Sequence, residues 1–299
     1  MPPLKQHFGI PSTAPFVDVD TYDDTSLFVD PFRIARGARS DPYAAEAHAL
    51  ICDYSELLCR RLLGSVEDKA CAQQMLDNLN EPSETHLGMS RTGYRGRGVG
   101  EYLATKIREA LQDDLKALVA VGVFHWIGAL PLFVRNFDSD RMSDVTTSII
   151  RGVLIDFTEH MVDVYPEFRA NGNQVRECKM TVWDRHQHQW IERTAVLPYV
   201  EGHPLLLIPE GWTGSHIQLH ARRYHSVTVL GRVQEERLEQ NPKARRIPKE
   251  TLAKLPMYSE IYPTNLAVTL RAFREGINLL EALIQYVNDW MDEQERLAA

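Results

Sequence analysis

Three aspartates lie close together between a predicted strand and a predicted helix. Asp138, Asp140 and Asp144 follow an apolar run at residues 130–134 that has the length and composition of a strand. If the helix begins directly after the turn, Asp140 and Asp144 are four residues apart and share one helical face. Carboxylates just beyond the end of a strand can hold a metal ion or take part in catalysis. The same side chains could instead only cap the helix and complement its dipole, and the sequence leaves both interpretations open.

Two further polar residues lie on a later predicted strand, at residues 175–183. Glu177 and Lys179 are two positions apart, so an extended strand would point both side chains to one face. An aspartate at a strand end followed by Glu-x-Lys on a later strand resembles the PD-(D/E)XK nucleases over residues 130–182. The chain departs from that pattern because a long predicted helix, rather than a short hairpin, separates Asp144 from Glu177.

The resemblance implies a Mg²⁺ site built on carboxylates. The cation would polarise the phosphate and lower the pKa of an attacking water, while the lysine would position that water or stabilise the developing charge. The implied metal ligands are Asp140, Asp144 and Glu177, and the implied catalytic residues are Asp144, Glu177 and Lys179. One ion coordinated at about 2.0–2.6 Å cannot bridge Asp144 and Glu177 if their carboxylates lie more than about 8 Å apart.

A glycine- and arginine-rich segment, SRTGYRGRGVGE at residues 90–101, precedes an amphipathic helical pattern. Exposed N–H groups at a helix start favour phosphate, and arginines add charge-assisted hydrogen bonds. The predicted phosphate-binding residues are Arg91, Arg95, Arg97, Gly96 and Gly98. The segment is neither a Walker A loop nor a G-x-G-x-x-G motif, and a structural loop without a ligand remains the alternative.

The elements that must position these residues alternate between helix and strand. Apolar residues recur at helical spacing over residues 43–63, 66–79, 103–118 and 145–161 and after residue 264, whereas strands are predicted at 16–20, 27–32, 175–183, 190–196 and 204–209. This pattern predicts an α/β (or α+β) fold, in which a mixed sheet is flanked by helices and the C-terminal part is mostly helical.

Three regions are expected along the chain. Residues 1–15 contain four prolines and are predicted to form an extended N-terminal arm. An α/β core domain is expected at 16–240, and a Pro-rich loop with a C-terminal helix packed on that core at 241–299. The apolar stripe of the last helix is strong enough to pack against a protein partner or a second copy of the chain.

Composition limits the classes of protein that fit. The chain is 44% hydrophobic and 25% charged, which is typical of a globular protein, and it lacks an 18-residue apolar run that could span a membrane. The N-terminal sequence has no hydrophobic core of a secretory signal. Four unevenly spaced cysteines without a C-x-x-C pair favour free thiols in a reducing cytoplasm.

The net charge of −8 argues against a basic nucleic-acid-binding protein as a whole. Basic residues nevertheless cluster at 91–97, 222–232 and 243–249. Such clusters either bind nucleic acid locally or form a solvated surface of mixed charge.

Several short motifs together resemble a largely uncharacterised bacterial family. They are FVDP at 28–31, the polar segment 80–88 with its glycine-rich continuation, DRMSDVTT at 140–147 and LIP at 207–209. The resemblance implies a bacterial or phage-related cytoplasmic protein from a mobile-element or anti-phage defence locus. It implies no catalytic residues.

These observations lead to two hypotheses about function. The first is a Mg²⁺-dependent, DNA-binding nuclease, a phosphodiester hydrolase acting in bacterial antiviral defence. The second is a non-catalytic subunit that binds nucleic acid, a nucleotide or another protein within a larger complex.

Overall fold

The computed structural model describes residues 2–80, 82–88, 105, 107–109, 116–120 and 122–298. The chain forms two compact units, each made of two stretches of sequence. Unit 1 comprises residues 1–109 and 139–217, and unit 2 comprises residues 110–138 and 218–299. The domain boundaries drawn from the sequence after residues 15 and 240 stay predictions.

Helices make up most of the described chain. In order they are α1 (Leu4–Phe8), α2 (Pro31–Gly37), α3 (Pro42–Leu63), α4 (Val66–Leu76), α5 (Lys116–Ala120), α6 (Ser139–Val164), α7 (Ala221–Arg223), α8 (Leu230–Gln240), α9 (Lys249–Leu252), α10 (Pro256–Ser259), α11 (Ile261–Arg274) and α12 (Leu279–Ala298). Short 3₁₀ segments occupy Ser83–Thr85, Ile127–Leu132 and Pro166–Arg169, and a π-helical segment, Tyr224–Val229, joins α7 to α8. None of the helices described is both long and apolar enough to cross a membrane.

Two small antiparallel sheets lie within the described residues. The strands are β1 (Phe28–Val29), β2 (Gln174–Asp184), β3 (Gln189–Val200), β4 (His203–Pro204) and β5 (Thr213–Gly214). One sheet has the order β2-β3-β4, and the other pairs β1 with β5. The predicted class, helices and strands with a mostly helical C-terminal part, is confirmed. The paired strands described are antiparallel rather than parts of one mixed sheet.

The long helix α6 lies at the centre of unit 1. Its apolar residues recur every four positions, and Val145, Ile149 and Val153 are at most 2% exposed. The helix α3 and the hairpin β2–β3 pack against α6. The start of α3 is fixed locally, because the Asp41 side chain accepts the Tyr43 N–H and Pro42 occupies the first turn.

The N-terminal segment is not an extended arm. Residues 4–8 form α1, which ends at Gly9 in the left-handed conformation. Leu4 and Phe8 join a core cluster with residues from the C-terminal half of α6, and the Phe8 and Phe168 ring centroids lie 4.8 Å apart. Burial of the apolar residues of this helix attaches the segment to unit 1.

The apolar run predicted as a strand before α6 is a 3₁₀ segment of unit 2. Residues 127–132 form this turn with Pro131 inside it, and all six residues are buried. A short apolar run does not distinguish a strand from a buried turn, and the proline lacks the N–H that a central strand needs.

Unit 2 is held by helices and by buried polar contacts. The Asn265 amide, fully buried in α11, donates to the carbonyl of Leu132 at 2.8 Å and to that of Ala221 at 3.3 Å. Asn265 therefore ties residues near position 132 to residues beyond position 218 within the same unit.

Candidate functional site

The N-terminal half of α6 carries a stripe of polar side chains on a largely buried helix. Asp140, Asp144, Thr147 and Arg151 follow one another at intervals of four, three and four residues, so they share one face. Asp144 is 8% exposed, Thr147 1% and Arg151 7%. Burying polar and charged groups costs free energy unless each has a partner, so such a stripe marks either an internal ion pair or a binding site.

An ion pair accounts for the C-terminal end of the stripe. Arg151 Nε lies 2.8 Å from Glu84 Oε1, and both side chains are nearly buried. The Nε–H is poorly aligned for a hydrogen bond, so the attraction is mainly ionic. Arg151 Nη1 also donates to the Thr181 carbonyl of β2 at 3.0 Å. The arginine therefore attaches the segment 82–88 and the hairpin to the same side of α6.

The segment 82–88 brings its backbone close to two carboxylates. The N–H of Thr25 donates to the His86 carbonyl at 2.9 Å, and that of Gly88 donates to the Thr25 carbonyl at 3.1 Å. Gly88 has a φ of +138°, and a methyl group there would lie 3.3 Å from Asp140 Oδ1 and 3.6 Å from Asp24 Oδ2. Only glycine fits easily at this point. Asp24 and Asp140, far apart in sequence, therefore flank the same short stretch of backbone.

The first turns of α6 are positioned by hydrogen bonds to other parts of unit 1. Ser143 Oγ accepts the N–H of Val29 in β1 at 2.9 Å, and Ser139 Oγ accepts the N–H of Ile217 at 3.3 Å. Asp30, which follows β1 and is 1% exposed, accepts the N–H of Phe32 and begins α2. The small hydroxyl side chain of Ser143 thus lets β1 approach α6 closely and fixes the position of β1 along the helix.

One histidine of the segment 82–88 is buried. His86 is 3% exposed and adopts the left-handed conformation at a φ of 52°, which is uncommon for a residue with a side chain. Burial lowers the pKa of His86, His203 acts in the same direction, and Asp20 opposes them. The imidazole is therefore neutral at pH 7.

The structure places Glu177 and Lys179 on the exposed face of β2. Both residues are exposed, and the Lys179 ammonium pairs with Glu192 across the hairpin. The opposite face of β2 packs on α6, where Val182 lies against Gly152. The Glu-x-Lys pattern therefore belongs to a solvated surface of the hairpin.

The predicted ligand set Asp140, Asp144 and Glu177 is not brought together. Glu177 pairs with Val196 in the sheet, and the N–H of Val196 donates to Glu159 of α6 at 2.8 Å. Glu159 is fifteen residues after Asp144, which corresponds to about 22 Å along a helix. Within the described part of the chain, no group of three or more His, Cys, Asp or Glu side chains is placed to hold a metal ion. The same separation divides the predicted catalytic group Asp144, Glu177 and Lys179.

The residues predicted to bind phosphate lie outside the part of the chain that the structure describes. They are Arg91, Arg95, Arg97, Gly96 and Gly98. The predicted segment begins two residues after Gly88 in the sequence.

A comparison with protein families identifies the region that contains this site. The model of a domain of unknown function, DUF8370, matches residues 10–217 of the chain, which is well over half of it. The chain belongs to the DUF8370 family. The match ends at the residue where unit 1 ends and includes the whole polar stripe of α6. No curated protein and no solved structure matches the chain.

Sequence reasoning missed three residues of the candidate site. Asp24 and Glu84 lie in polar segments that gave no periodic signal, and Arg151 was hidden in the apolar run of α6. Arg151 did carry a signal, because a charge within an otherwise apolar helical stretch needs a buried partner. Nothing local in the sequence could have indicated that the partner is Glu84.

Proposed function

We propose that this protein is a divalent-cation-dependent phosphodiesterase of the nuclease type, in which Asp24 and Asp140 hold the cation and Asp144 lies one helical turn from Asp140. The observation that supports it most is the approach of Asp24 and Asp140 to the same backbone at Gly88. Mg²⁺ usually keeps several waters and binds proteins through only one or two carboxylates together with phosphate oxygens. A pair of aspartates with a third one helical turn away is therefore a sufficient protein contribution.

The proposed cation site contains Asp24 of the N-terminal region instead of Glu177 of β2. Glu177 lies on β2 beside a part of α6 that is distant from Asp144, whereas a carbon added at Gly88 would lie within 4 Å of both Asp24 and Asp140. Each of the three aspartates also has a partner within the protein, so a cation would replace part of those interactions. When bound, the cation would polarise a phosphate and lower the pKa of a water. The Arg151–Glu84 pair serves to hold the segment 82–88 beside α6.

The test compares carboxylates of one helix. Purified protein is incubated with plasmid, single-stranded DNA and RNA in the presence of Mg²⁺ or Mn²⁺. Asp140→Asn and Asp144→Asn should lower the cleavage rate at least about 100-fold, because each removes negative charge at or next to the cation site. Asp163→Asn, which changes an exposed carboxylate of the same helix, is the matched control. Melting temperatures of all variants separate loss of activity from loss of folding.

Two outcomes would overturn the assignment. Cleavage that survives in Asp140→Asn and Asp144→Asn but is lost in Glu177→Gln and Lys179→Ala would return the site to β2. A wild-type protein that binds nucleic acid without cleaving it under any of these conditions would establish the second candidate, a non-catalytic binding subunit. That candidate is favoured by the lack of a three-ligand cluster among the residues described.

We also propose that nucleic acid is held by the arginines of residues 91–97. Replacing Arg95 and Arg97 by alanine should weaken binding and reduce the slope of log affinity against log salt by about 0.7–0.9 per lost phosphate contact. An unchanged salt slope would place the nucleic-acid contacts elsewhere.

The proposed setting is the cytoplasm of a bacterial cell, in defence against phage. Support comes from the motif resemblance and from the absence of a disulfide among the four cysteines, all of which are free thiols. The measurement is the plating efficiency of phages on cells that express the wild type or Asp144→Asn. Equal plating on both would contradict this setting.

A further inference from the structure

The strand β2 lies at one edge of its sheet and has a strand neighbour on one side. The sheet order is β2-β3-β4, and no strand among the described residues pairs with the other edge of β2. The strand spans eleven residues, Gln174–Asp184, in a continuous register that contains neither a bulge nor a proline. Bulges and prolines are among the features that protect a long edge, whose unpaired N–H and C=O groups can otherwise bind another strand.

Hydrogen bonds on β3 show which backbone groups of β2 are directed outward. The N–H of Val196 donates to a carboxylate of α6, and the carbonyl of Pro198 accepts the N–H of Leu205. Both groups therefore point away from β2, and in an antiparallel pair the residue opposite such a position also points away from its neighbour. Val196 is opposite Glu177. The backbone N–H and C=O groups of Glu177, and those of Lys179 two residues later, are therefore directed to the free edge.

The side chains along this part of the edge are accessible to solvent. Glu177 and Lys179 are exposed, and Cys178 between them is half-buried. Farther along the strand, Arg151 Nη1 donates to the Thr181 carbonyl. The part of the edge that is open to another strand therefore lies on the N-terminal side of Thr181.

The charges at the edge are self-complementary in one register. When two identical strands pair antiparallel about a two-fold axis at Cys178, Glu177 of each copy lies opposite Lys179 of the partner subunit. Opposite charges on directly paired residues attract, whereas like charges repel. Moving the axis by one residue in either direction places two glutamates or two lysines opposite each other. The Glu-x-Lys spacing therefore favours a second copy of this chain, bound in this register.

We infer that this chain forms a symmetric homodimer in which the β2 strands of two copies pair antiparallel about Cys178. The backbones of Glu177 and Lys179 then exchange hydrogen bonds with those of the partner subunit. Cys178 lies in a pair without hydrogen bonds, in which the two Cα atoms are about 4.5 Å apart. Because a disulfide joins Cα atoms about 4.4–6.8 Å apart, an oxidant can cross-link the two thiols. The interface does not involve the proposed cation site.

The first experiment measures self-association of the full-length protein under reducing conditions. Sedimentation velocity at about 1–300 μM should show a reversible equilibrium between monomer and dimer, because an interface of this kind is small. Glu177→Lys and Lys179→Glu each replace two attractive contacts with two repulsive ones, so each should raise the Kd of the dimer at least about tenfold. Glu46→Lys makes the same change of charge at an exposed position of α3 and should leave the Kd unchanged.

A mixture of the two charge variants tests the register. In a mixed dimer of Glu177→Lys with Lys179→Glu, opposite charges again face each other at both contacts. The mixture should therefore associate about as strongly as wild type, although neither variant does so alone. Circular dichroism and melting temperatures establish that both variants are folded.

Cross-linking gives a second measure of the same contact. Diamide should convert the wild-type protein to a disulfide-linked dimer, and Cys178→Ser should form this dimer much more slowly. A monomer at all concentrations, a mixture that associates no better than its components, or equal cross-linking of Cys178→Ser and wild type would overturn the proposal. None of these results would affect the test of nuclease activity.

Discussion

Two ion pairs of unit 1 have similar chemistry and opposite surroundings. The side chains of Arg151 and Glu84 are 8% and 12% exposed, whereas those of Lys179 and Glu192 are 69% and 61% exposed. A buried charge is tolerated only with its partner in place, so the first pair determines which segments of the chain meet. Water can solvate either member of the second pair alone, so that pair constrains little. Burial, rather than a recognisable spacing, is what distinguishes a structural charge from a solvated one.

The largest expected effect follows from breaking the buried pair. Arg151→Met leaves Glu84 without its cation and should lower the free energy of unfolding by about 3–5 kcal/mol. Urea denaturation gives this value directly. The double variant Arg151→Met with Glu84→Leu should recover part of the loss, because no charge is then left unpaired. A loss below about 1 kcal/mol in the single variant would mean that water reaches the pair.

The next effect concerns the glycine at the same buried site. Gly88→Ala introduces a methyl group 3.3 Å from Asp140 Oδ1 at a φ of +138°, so it should lower the free energy of unfolding by about 1–3 kcal/mol. Gly172→Ala is the control for an alanine at a positive φ, because at its φ of +81° nothing lies within 4 Å of the added carbon. Denaturation curves of the two variants give the extra cost of the φ of +138° together with the contact with Asp140. Equal losses would show that neither of them adds strain at Gly88.

A smaller effect is expected from pH. Because burial lowers the pKa of His86 below its ordinary value of 6.5, the unfolded chain takes up a proton first as the pH falls. The contribution of His86 to stability is therefore intact above pH 6.5 and decreases as the pH falls through the lowered pKa. His86→Asn, which tolerates the left-handed backbone, should lose less stability than wild type between pH 7 and pH 5. Parallel curves for the two proteins would contradict this expectation.

A second histidine in the left-handed conformation provides the control for the histidine-to-asparagine substitution. His188 has a φ of 54° on the exposed turn of the hairpin, so His188→Asn makes the same substitution in the same conformation without altering a buried group.

The smallest effect is expected at the exposed pair. A double-mutant cycle on Lys179→Ala and Glu192→Ala should give a coupling free energy of at most about 0.5–1 kcal/mol, and added salt should reduce it. A coupling as large as that of Arg151 and Glu84 would mean that exposure does not separate the two pairs.

The helices of this chain could be predicted because their signals are local. The apolar periodicity placed a helix at 43–63 where α3 spans Pro42–Leu63, and the apolar residues spaced from Val145 to Met161 lie on α6. The prolines were less informative about local structure. The prolines of residues 1–15 suggested an extended arm, yet a five-residue helix forms there because Leu4 and Phe8 find a buried place.

The candidate site could be predicted only where it is local. Asp140 and Asp144 share a helix, so their proximity follows from spacing alone. The distance between Asp144 and Glu177 depends on where the hairpin lies along α6, and no motif encodes that. Asp24 and Glu84 reach the site through contacts between distant segments, which depend on the packing of the whole unit.

The interleaved order of the two units has a consequence during synthesis on the ribosome. Unit 1 is complete once residue 217 has emerged, but residues 110–138 belong to unit 2 and must wait for residues 218–299. During that interval the nascent chain carries an apolar stretch, including Leu130 and Leu132, whose binding surface has not yet been made. At elongation rates of about 5–20 residues per second the wait lasts on the order of ten seconds, long enough for a chaperone to bind. Slowing translation after codon 217 would therefore lower the yield of native protein more than slowing it before codon 110.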